Sequence, residues 1–352
     1  MTPALVYRKR LAALEKRLKE AGLGSFLVTN ETNVTYLTGF LGNDSALLLT
    51  PKKKFFITDS RFVEEAADTV KGCEVSLVKT STYETLKDLA KSQSLKKTGF
   101  EAMDLPYEVG ARLGKLLKPV RLIPTKDMVE AGRAIKDDIE IASIKKAVRL
   151  TKDVLGRVLG LARSGVTEEE LSCFIEARFI ESGARAAFGP IVASGVSSSK
   201  PHARPGRNRI RNNSFLMLDI GCRLNCYCAD ITRMMILGQV TEKFRTIYRV
   251  VEQAQEAAIA KIRPGARIAE VDRAARKYIY DNGFGKYFGH ALGHGVGMEV
   301  HEKPSISGLN EGILRSGMVF TVEPAVYIPG FGGARIEDMV RVTDSGCEIL
   351  TR

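Results

Sequence analysis

Residues 288–302 read FGHALGHGVGMEVHE and contain three of the four histidines in this chain of 352 residues. These three are His290, His294 and His301, and the fourth, His202, lies in the short sequence KPHARPG. Such a concentration is unusual in a chain so poor in histidine. Imidazole and carboxylate groups are the usual ligands of first-row divalent metals. This histidine string, residues 288–302, therefore predicts a metal site in which nearby acidic residues are further candidate ligands.

Two aspartates flank a predicted β-hairpin upstream of the histidines. The apolar segments SFLMLDIG and YCADITRMMIL are separated by the short sequence CRLNC. We expect the turn at Leu224 and Asn225, which places Asp219 opposite Asp230. Directly opposed residues have Cβ atoms about 4.5–5.5 Å apart. Two buried carboxylates at that distance repel each other unless a cation or a proton lies between them.

Two glutamates flank a second predicted hairpin. The segments MVFTVEPAVYIP and ARIEDMVRV enclose a glycine-rich turn, and symmetry about Gly330 pairs Glu323 with Glu337. The two hairpins together offer four carboxylates. With one imidazole, these are enough to hold two divalent ions about 3.5–4 Å apart, as in two-metal hydrolases. The sequence thus predicts metal-assisted hydrolysis.

The two parts of the chain differ in pattern. Helical periodicity near residues 6–21 is followed by short apolar segments alternating with helical ones, which predicts an α/β domain over residues 1–128. A second domain is predicted over residues 129–352. It begins with a long helix from about Asp137, and a capping box announces a further helix at Thr167.

Composition and charge exclude some classes of function. The formal charge is +12, and basic residues include the loop 204–211, but aromatic residues make up only 7% and Trp is absent. Without a recognition motif, this pattern favours a solvated basic surface and no nucleic-acid partner. The sequence contains neither an apolar run of about 18 residues nor a signal-peptide pattern. We therefore expect no membrane association and a cytoplasmic location.

The motifs LDIG, CADITRM, GHALGHGVGMEVHE, TVEP and RIED resemble, in order and spacing, the ligand motifs of the creatinase-like "pita-bread" metallopeptidases. This family includes methionine aminopeptidase, aminopeptidase P and prolidase. The first half resembles the N-terminal domain of bacterial Xaa-Pro peptidases through NVTYLTGF, ITDSRF and RAIKDDIEI. The resemblance implies a creatinase-like α/β N-terminal domain and an α+β pita-bread catalytic domain.

The resemblance also implies a set of metal ligands. Asp219 would bind one divalent ion, and His294 and Glu323 would bind the other. Asp230 and Glu337 would bridge the two ions, for which Mn, Co and Zn are the candidates. Glu323 resembles the residue that also carries a proton to the leaving nitrogen.

The remaining matched residues are expected to act on the substrate. His202 and His301 match the histidines that hold the substrate and stabilise the oxyanion of the tetrahedral intermediate. His290, Tyr327 and Arg335 match positions around the metal site in aminopeptidase P, and we expect them to bind substrate.

The expected activity is hydrolysis of the bond before proline in Xaa-Pro peptides. Many prolidases carry an arginine shortly after the equivalent of His301, where it can engage the carboxylate of a dipeptide. Here Ser305 stands in that place, although Lys303 or a basic loop could substitute. We therefore favour an Xaa-Pro aminopeptidase acting on longer peptides, with an Xaa-Pro dipeptidase as the alternative.

Two further alternatives are disfavoured. A non-catalytic peptide-binding relative and a metal-free creatinase-type hydrolase would typically lack metal ligands, whereas all five are present here. The resemblance also implies a homodimer.

Overall fold

The structure is a computed structural model that describes residues 3–352. The chain divides between Arg133 and Ala134 into two compact units. The sequence predicts a boundary a few residues earlier, after residue 128, and that assignment of domains stays a prediction.

The first unit is built of helices and one six-stranded sheet. Its helices are α1 (Pro3–Glu20), α2 (Glu31–Thr38), α3 (Val63–Thr69), α4 (Thr82–Ser92), α5 (Tyr107–Leu116) and α6 (Glu130–Arg133). Its strands are β1 (Phe26–Val28), β2 (Ala46–Leu49), β3 (Lys54–Thr58), β4 (Glu74–Leu77), β5 (Lys97–Glu101) and β6 (Arg121–Thr125). They lie in the order β4-β3-β2-β1-β5-β6.

The central strands of this sheet are apolar on both faces. All of β1 and β2, and most of β3, are buried, so their sequences read as continuous apolar runs instead of alternating patterns. The predicted first helix and the predicted alternation of short apolar strands with helices are confirmed, whereas β6 was not predicted. The helix α2 was not predicted, because its sequence carries only a weak apolar periodicity.

The second unit contains four longer helices and several smaller sheets. Its helices are α7 (Asp138–Leu161), α8 (Glu168–Glu181), α9 (Glu242–Ile259) and α10 (Ile268–Asp281). Its strands are β7 (Arg185–Ala186), β8 (Ile191–Ser194), β9 (Ser214–Ile220), β10 (Cys222–Leu224), β11 (Tyr227–Cys228), β12 (Ile231–Leu237), β13 (Gly293–Gly295), β14 (Glu302–Ile306), β15 (Val319–Val322), β16 (Ala325–Ile328), β17 (Gly332–Arg335), β18 (Asp338–Val342) and β19 (Cys347–Ile349).

Two helix pairs enclose the strands of the second unit. The sheets run β12-β9-β8 and β14-β13-β15-β18-β19, with two short ones, β11-β10-β7 and β16-β17. On β15, Val319 packs in the core formed with α7 and α8, whereas Phe320 packs in the core formed with α9 and α10. This alternation places the strands between two apolar cores and holds them rigidly.

The capping box predicted at Thr167 is confirmed. The Thr167 hydroxyl accepts from the Glu170 N–H at 3.1 Å, and the Glu170 carboxylate accepts from the Thr167 N–H at 2.7 Å. A second capping box at Asp137 begins α7. Within residues 3–352, none of the helices combines the length and apolar composition that a bilayer crossing requires.

The predicted register of the first hairpin is wrong. Asp219 pairs with Thr232 and not with Asp230. The turn lies one residue later than expected, at Asn225 and Cys226, whose φ angles are 47° and 70°. Positive φ at both central residues is the conformation of a type I′ turn, which suits the twist of a two-residue hairpin. The error shifts the pairing by two residues. Because side chains in a strand alternate between the two faces of the sheet, Asp219 and Asp230 still lie on the same face, as predicted.

The predicted symmetry of the second hairpin about Gly330 is confirmed. Ala325 pairs with Arg335 in the β16–β17 ladder, and Val322 pairs with Asp338 in the β15–β18 ladder. Both ladders share one register although they belong to different sheets.

The two ladders are interrupted at the two glutamates. The N–H of Glu323 donates to the carbonyl of Leu292 at 2.8 Å, and the N–H of Glu337 donates to that of Thr232 at 3.2 Å. Each glutamate is therefore tied to a segment that carries another predicted ligand, the histidine string or the first hairpin.

Candidate active site

One cavity of about 910 Å³ in the second unit is lined by every predicted site residue. These residues are His202, Asp219, Asp230, His290, His294, His301, Glu323, Tyr327, Arg335 and Glu337. The chain brings them together from six separate segments of the sequence.

A carboxylate and imidazole cluster lies in this cavity. One ligand atom each from Asp230, His294 and Glu337 lie within 4.8 Å of one another. The Nε2 atom of His294 is 3.6 Å from Oδ2 of Asp230 and 3.3 Å from Oε1 of Glu323. This set of oxygen and nitrogen donors suits a first-row divalent metal.

Asp219 supplies an independent test of whether the cluster fits a cation. Its Oδ2 accepts from Nη2 of Arg335 at 2.5 Å, but its Oδ1 is buried and accepts no hydrogen bond from any described residue. A buried carboxylate oxygen without a partner is unfavourable by several kcal/mol. A metal ion would provide that partner, so the residues present fit a divalent metal.

The raised pKa values of the carboxylates in this cluster also indicate a site for a cation. Burial raises the pKa of Asp230 well above its ordinary value, and the charges of Glu337, Asp219 and Glu323 raise it further. Burial and the charges of Glu323 and Asp219 likewise raise the pKa of Glu337. Carboxylates that repel one another in a buried site retain protons unless a cation replaces them.

The two inner histidines present one ring nitrogen each to the cavity. In His294, Nδ1 lies 3.2 Å from the carbonyl of Gly295, and in His290, Nδ1 lies 2.8 Å from that of Ala291. With the proton on Nδ1, the Nε2 of His294 faces the acids with a lone pair that could bind a metal. The Nε2 of His290 is buried without a partner among the described residues, and burial lowers the pKa of this histidine.

Helix α10 holds the histidine string in place. The carboxylate of Asp272 accepts from the N–H of Leu292 at 3.1 Å. Arg276, paired with Asp272, donates to the carbonyls of His290 at 2.8 Å and Phe288 at 3.1 Å. These contacts fix the backbone on both sides of the first histidine.

Two glycines of the string are required by close approach of the backbone. A Cβ atom on Gly293 would lie 2.0 Å from the carbonyl oxygen of Thr321, and one on Gly295 would lie 2.2 Å from that of Lys303. The strand β13 thus fits between its neighbours only without side chains on either side of His294. Both glycines lie in the strand β13.

Arg335 is buried and fully engaged. It donates to Oδ2 of Asp219, to the hydroxyl of Tyr327, to Oγ1 of Thr232 at 3.1 Å and to the carbonyl of Pro201 at 3.1 Å. These contacts orient one acid and one phenol of the site. Direct contact of Arg335 with a substrate stays a prediction.

His202 and His301 lie at the exposed side of the cavity. The ring of His301 is 4.2 Å from the ring of His294, measured between centroids. Burial and the neighbouring His294 lower the pKa of His301. Both outer histidines are accessible to a bound ligand.

Two threonines of the site were missed in the sequence. The hydroxyl of Thr232 donates to Oε2 of Glu337 at 2.6 Å, and that of Thr321 donates to Oε1 of Glu323 at 3.0 Å. Thr321 also accepts from the N–H of His294 at 3.0 Å. The signal in the sequence was that each threonine lies two residues from a predicted acidic ligand, in DITRM and in FTVEP.

Gln255 on α9 was also missed. It is 1% exposed, and its Nε2 donates to the carbonyls of Val322 at 3.0 Å and Ile336 at 3.2 Å. These residues directly precede Glu323 and Glu337, so the amide satisfies the backbone where the ladder is interrupted. A glutamine on the buried face of an amphipathic helix was the only clue in the sequence.

The cluster defines the site as that of a metal-dependent hydrolase, and comparison with known proteins gives the family. Residues 142–344 match the model of metallopeptidase family M24, and residues 10–135 match that of the creatinase/prolidase N-terminal domain. The chain belongs to metallopeptidase family M24. It is therefore a metallopeptidase that uses divalent metal ions.

Similar proteins match nearly the whole chain. The Xaa-Pro dipeptidase of Pyrococcus furiosus is 32% identical over 355 residues, which cover 98% of each chain. The structure of an Xaa-Pro dipeptidase from Bacillus anthracis is 35% identical, with a TM-score of 0.95 and 98% of each chain covered. That of an X-Pro aminopeptidase from Thermotoga maritima is 33% identical, with a TM-score of 0.88 and coverage of 96% and 97%. The expected creatinase-like and pita-bread fold is confirmed.

Proposed function

We propose that this protein is a metal-dependent exopeptidase that hydrolyses the bond between an N-terminal residue and proline. The observation that carries the proposal is the convergence of four carboxylates and one imidazole in a cavity, with one buried carboxylate oxygen lacking a partner. Similar proteins that cover nearly all of the chain are named as Xaa-Pro peptidases, which supports the substrate class.

Five residues would hold two divalent ions. Asp219 would bind one ion, His294 and Glu323 the other, and Asp230 and Glu337 both, with Mn, Co or Zn as the metal. When bound, the ions supply Lewis-acid polarisation of the peptide carbonyl and lower the pKa of a water molecule.

Glu323 is suited to carry a proton. Burial opposes ionisation of this carboxylate, but the hydrogen bond and charge of His294 and the charge of Arg335 outweigh it and lower the pKa of Glu323. The carboxylate would accept a proton from water and deliver it to the proline nitrogen. Thr321 fixes its orientation.

The histidines bind and stabilise the substrate. His202 and His301 would donate to the oxyanion that forms from the peptide carbonyl, since both are accessible at the exposed side of the cavity. The unpartnered Nε2 of His290 can accept a hydrogen bond from the substrate. Tyr327, held by Arg335, lines the same cavity.

The aminopeptidase and dipeptidase alternatives differ in where the free carboxylate of the substrate lies. Ser305 in place of arginine favours longer peptides. The names of the similar proteins favour dipeptides somewhat, since the structure with the higher TM-score is that of a dipeptidase.

The test is a kinetic panel with and without chelator, using Xaa-Pro, Xaa-Pro-Xaa and Met-Ala-Xaa peptides. We expect hydrolysis of the first two, loss of activity on metal removal, and recovery when Mn, Co or Zn is added singly. Preference for Met-Ala-Xaa, or activity that survives complete metal removal, would contradict the proposal. A protein that binds metal and Xaa-Pro peptides but never cleaves them would be the non-catalytic relative.

A homodimer is proposed from family resemblance, and the cytoplasmic location remains an expectation from the sequence. Sedimentation of the purified protein and fractionation of the source cells test them.

A further inference from the structure

The cavity contains two arginines that differ in their surroundings. The guanidinium of Arg335 is buried and occupied by Asp219, Tyr327 and two other acceptors. Arg204 is exposed, and no described residue forms a hydrogen bond or an ion pair with it. Among the residues that the structure describes, Arg204 is the permanent cation of this cavity that remains available to a ligand.

The loop that carries Arg204 is fixed on both sides. The carbonyl of Pro201 accepts from Arg335 at 3.1 Å, which ties the start of the loop to the arginine that also holds Asp219. The N–H of Gly206 donates to the buried carboxylate of Glu168 at 3.3 Å, which ties its end to α8. The three peptide units that join Pro201 to Arg204 span at most about 10 Å. Arg204 lines the same cavity as the carboxylate cluster.

The rest of the cavity wall offers no comparable site for an anion. Beyond the metal cluster, it contains the acidic Glu176 and apolar groups such as Phe188 and Ile191. Ser305 lines the cavity but carries a neutral hydroxyl, and Lys303 is not among the described residues that line it. A substrate carboxylate would therefore be repelled by Glu176 and attracted to Arg204.

We propose that Arg204 binds the C-terminal carboxylate of Xaa-Pro dipeptides. This inference rests on the proposed function and names the substrate class of the same site. In a dipeptide the carboxylate belongs to the proline itself, two bonds from the nitrogen of the scissile bond, so it must be recognised close to the metal cluster. A guanidinium can hold a carboxylate through two parallel hydrogen bonds, which also orients the proline ring.

The test compares the wild type with Arg204→Gln, Arg204→Lys and the control Arg207→Gln. Arg207 lies on the same loop with a 95% exposed side chain, and it does not line the cavity. The substrates are Ala-Pro, its uncharged amide Ala-Pro-NH2, and Ala-Pro-Ala. Affinity for Ala-Pro is also measured by calorimetry on chelator-treated protein, so that one readout does not depend on turnover.

We expect Arg204→Gln to raise KM for Ala-Pro about 10- to 100-fold, with a much smaller change in kcat, because a charge-assisted contact of the bound substrate is lost. KM for the amide stays near the wild-type value, Arg204→Lys recovers part of the affinity, and Arg207→Gln behaves as wild type. Calorimetry shows the same order of affinities.

Equal losses on Ala-Pro and its amide would overturn the proposal, as would unchanged affinity for Ala-Pro. A loss confined to Ala-Pro-Ala would also overturn it, since the guanidinium would then recognise a carboxylate one residue further away. A wild-type protein that cleaves none of the three substrates contradicts the proposed function, whereas a selective loss in Arg204→Gln can occur only if that function holds or Ala-Pro binds without turnover.

Discussion

Each unit of the molecule buries a cluster of polar side chains, and the two clusters differ in what surrounds the carboxylate. In the first unit, Oε2 of Glu101 accepts from the N–H groups of Thr29 at 2.7 Å and Asn30 at 2.8 Å. Its Oε1 accepts from Nδ2 of Asn33 at 2.6 Å. Every contact of this carboxylate is with a donor belonging to the same unit.

In the second unit, the buried carboxylates mainly face one another. The charges that act most strongly on Asp230 are those of Glu337 and Asp219, after the effect of burial itself. One oxygen of Asp219 has no partner among the described residues. Glu337 accepts from a single threonine hydroxyl.

The difference shows how a structural carboxylate can be told from a proposed metal ligand. A carboxylate surrounded by N–H donors has its hydrogen bonds supplied by the folded chain. A group of carboxylates with too few donors ionises fully only with a cation, because burial and mutual repulsion both oppose ionisation. Three variants test this distinction, beginning with the largest expected effect.

Glu337→Gln is expected to lower kcat/KM on Xaa-Pro substrates at least about 1,000-fold, since the loss of metal-supplied charge stabilisation is several kcal/mol. Metal content, measured by plasma mass spectrometry, falls with it. In chelator-treated protein the same variant is more stable than wild type, because one of the repelling carboxylates is gone. The control is Glu311→Gln, an exposed residue that does not line the cavity. Full metal content and full rate in Glu337→Gln would remove this residue from the metal site.

Asn33→Ala tests the first cluster. Asn33 is fully buried and donates to Glu101 and Glu130 at 2.6 Å each, and its Oδ1 accepts from Arg133 at 2.8 Å. Loss of these bonds, each to a charged group, is expected to destabilise the protein by about 4 kcal/mol, with or without chelator. Denaturant unfolding measures the change, and the exposed Glu31→Ala on the same helix is the control.

The same variant separates the two clusters functionally. Metal content per folded molecule stays at the wild-type level in Asn33→Ala, because the residue contacts no metal ligand. A parallel loss of metal and stability would show that the first cluster is not purely structural.

The pH dependence of stability gives the smallest effect. Burial raises the pKa of Glu101 from 4.5 to about 7, despite the opposing hydrogen bonds. The folded pKa lies above the unfolded one, so the contribution of this group is full below about pH 4.5 and is lost as the pH rises through about 7. The difference corresponds to about 3 kcal/mol.

Glu101→Gln removes this titration. The free energy of unfolding of the variant, minus that of the wild type, is therefore expected to increase between about pH 4.5 and pH 8. Urea unfolding at several pH values measures it, with the exposed Glu108→Gln as control. A difference that stays constant over this range would show that Glu101 titrates alike in the folded and unfolded chain.

Several features of this protein could be read from the sequence because they depend on neighbouring residues. The capping box at Thr167 is a local exchange of hydrogen bonds over three residues. The second hairpin is centred on a glycine-rich turn, so the register of the ladders on both sides of Glu323 and Glu337 followed from symmetry. The ligand types themselves were visible as histidines and acids in apolar segments.

Other features depended on the tertiary structure. The register of the first hairpin was set by a turn at Asn225 and Cys226. Both residues have positive φ angles although neither is glycine, so the sequence did not indicate this turn. Thr232 and Arg335, which orient the acids, contact each other across 103 positions of sequence. The side chain of Gln255 reaches the interrupted ladder from a separate helix.

The sequence by itself determined which side chains were available for metal chemistry and the local elements that carry them. Only the tertiary structure decided which carboxylates lack donors and which arginine in the cavity lacks a partner. The physical reason is that the burial of a polar group and its hydrogen-bond partners depend on residues that are distant in sequence and adjacent in the folded chain. A short sequence pattern contains no information about these residues.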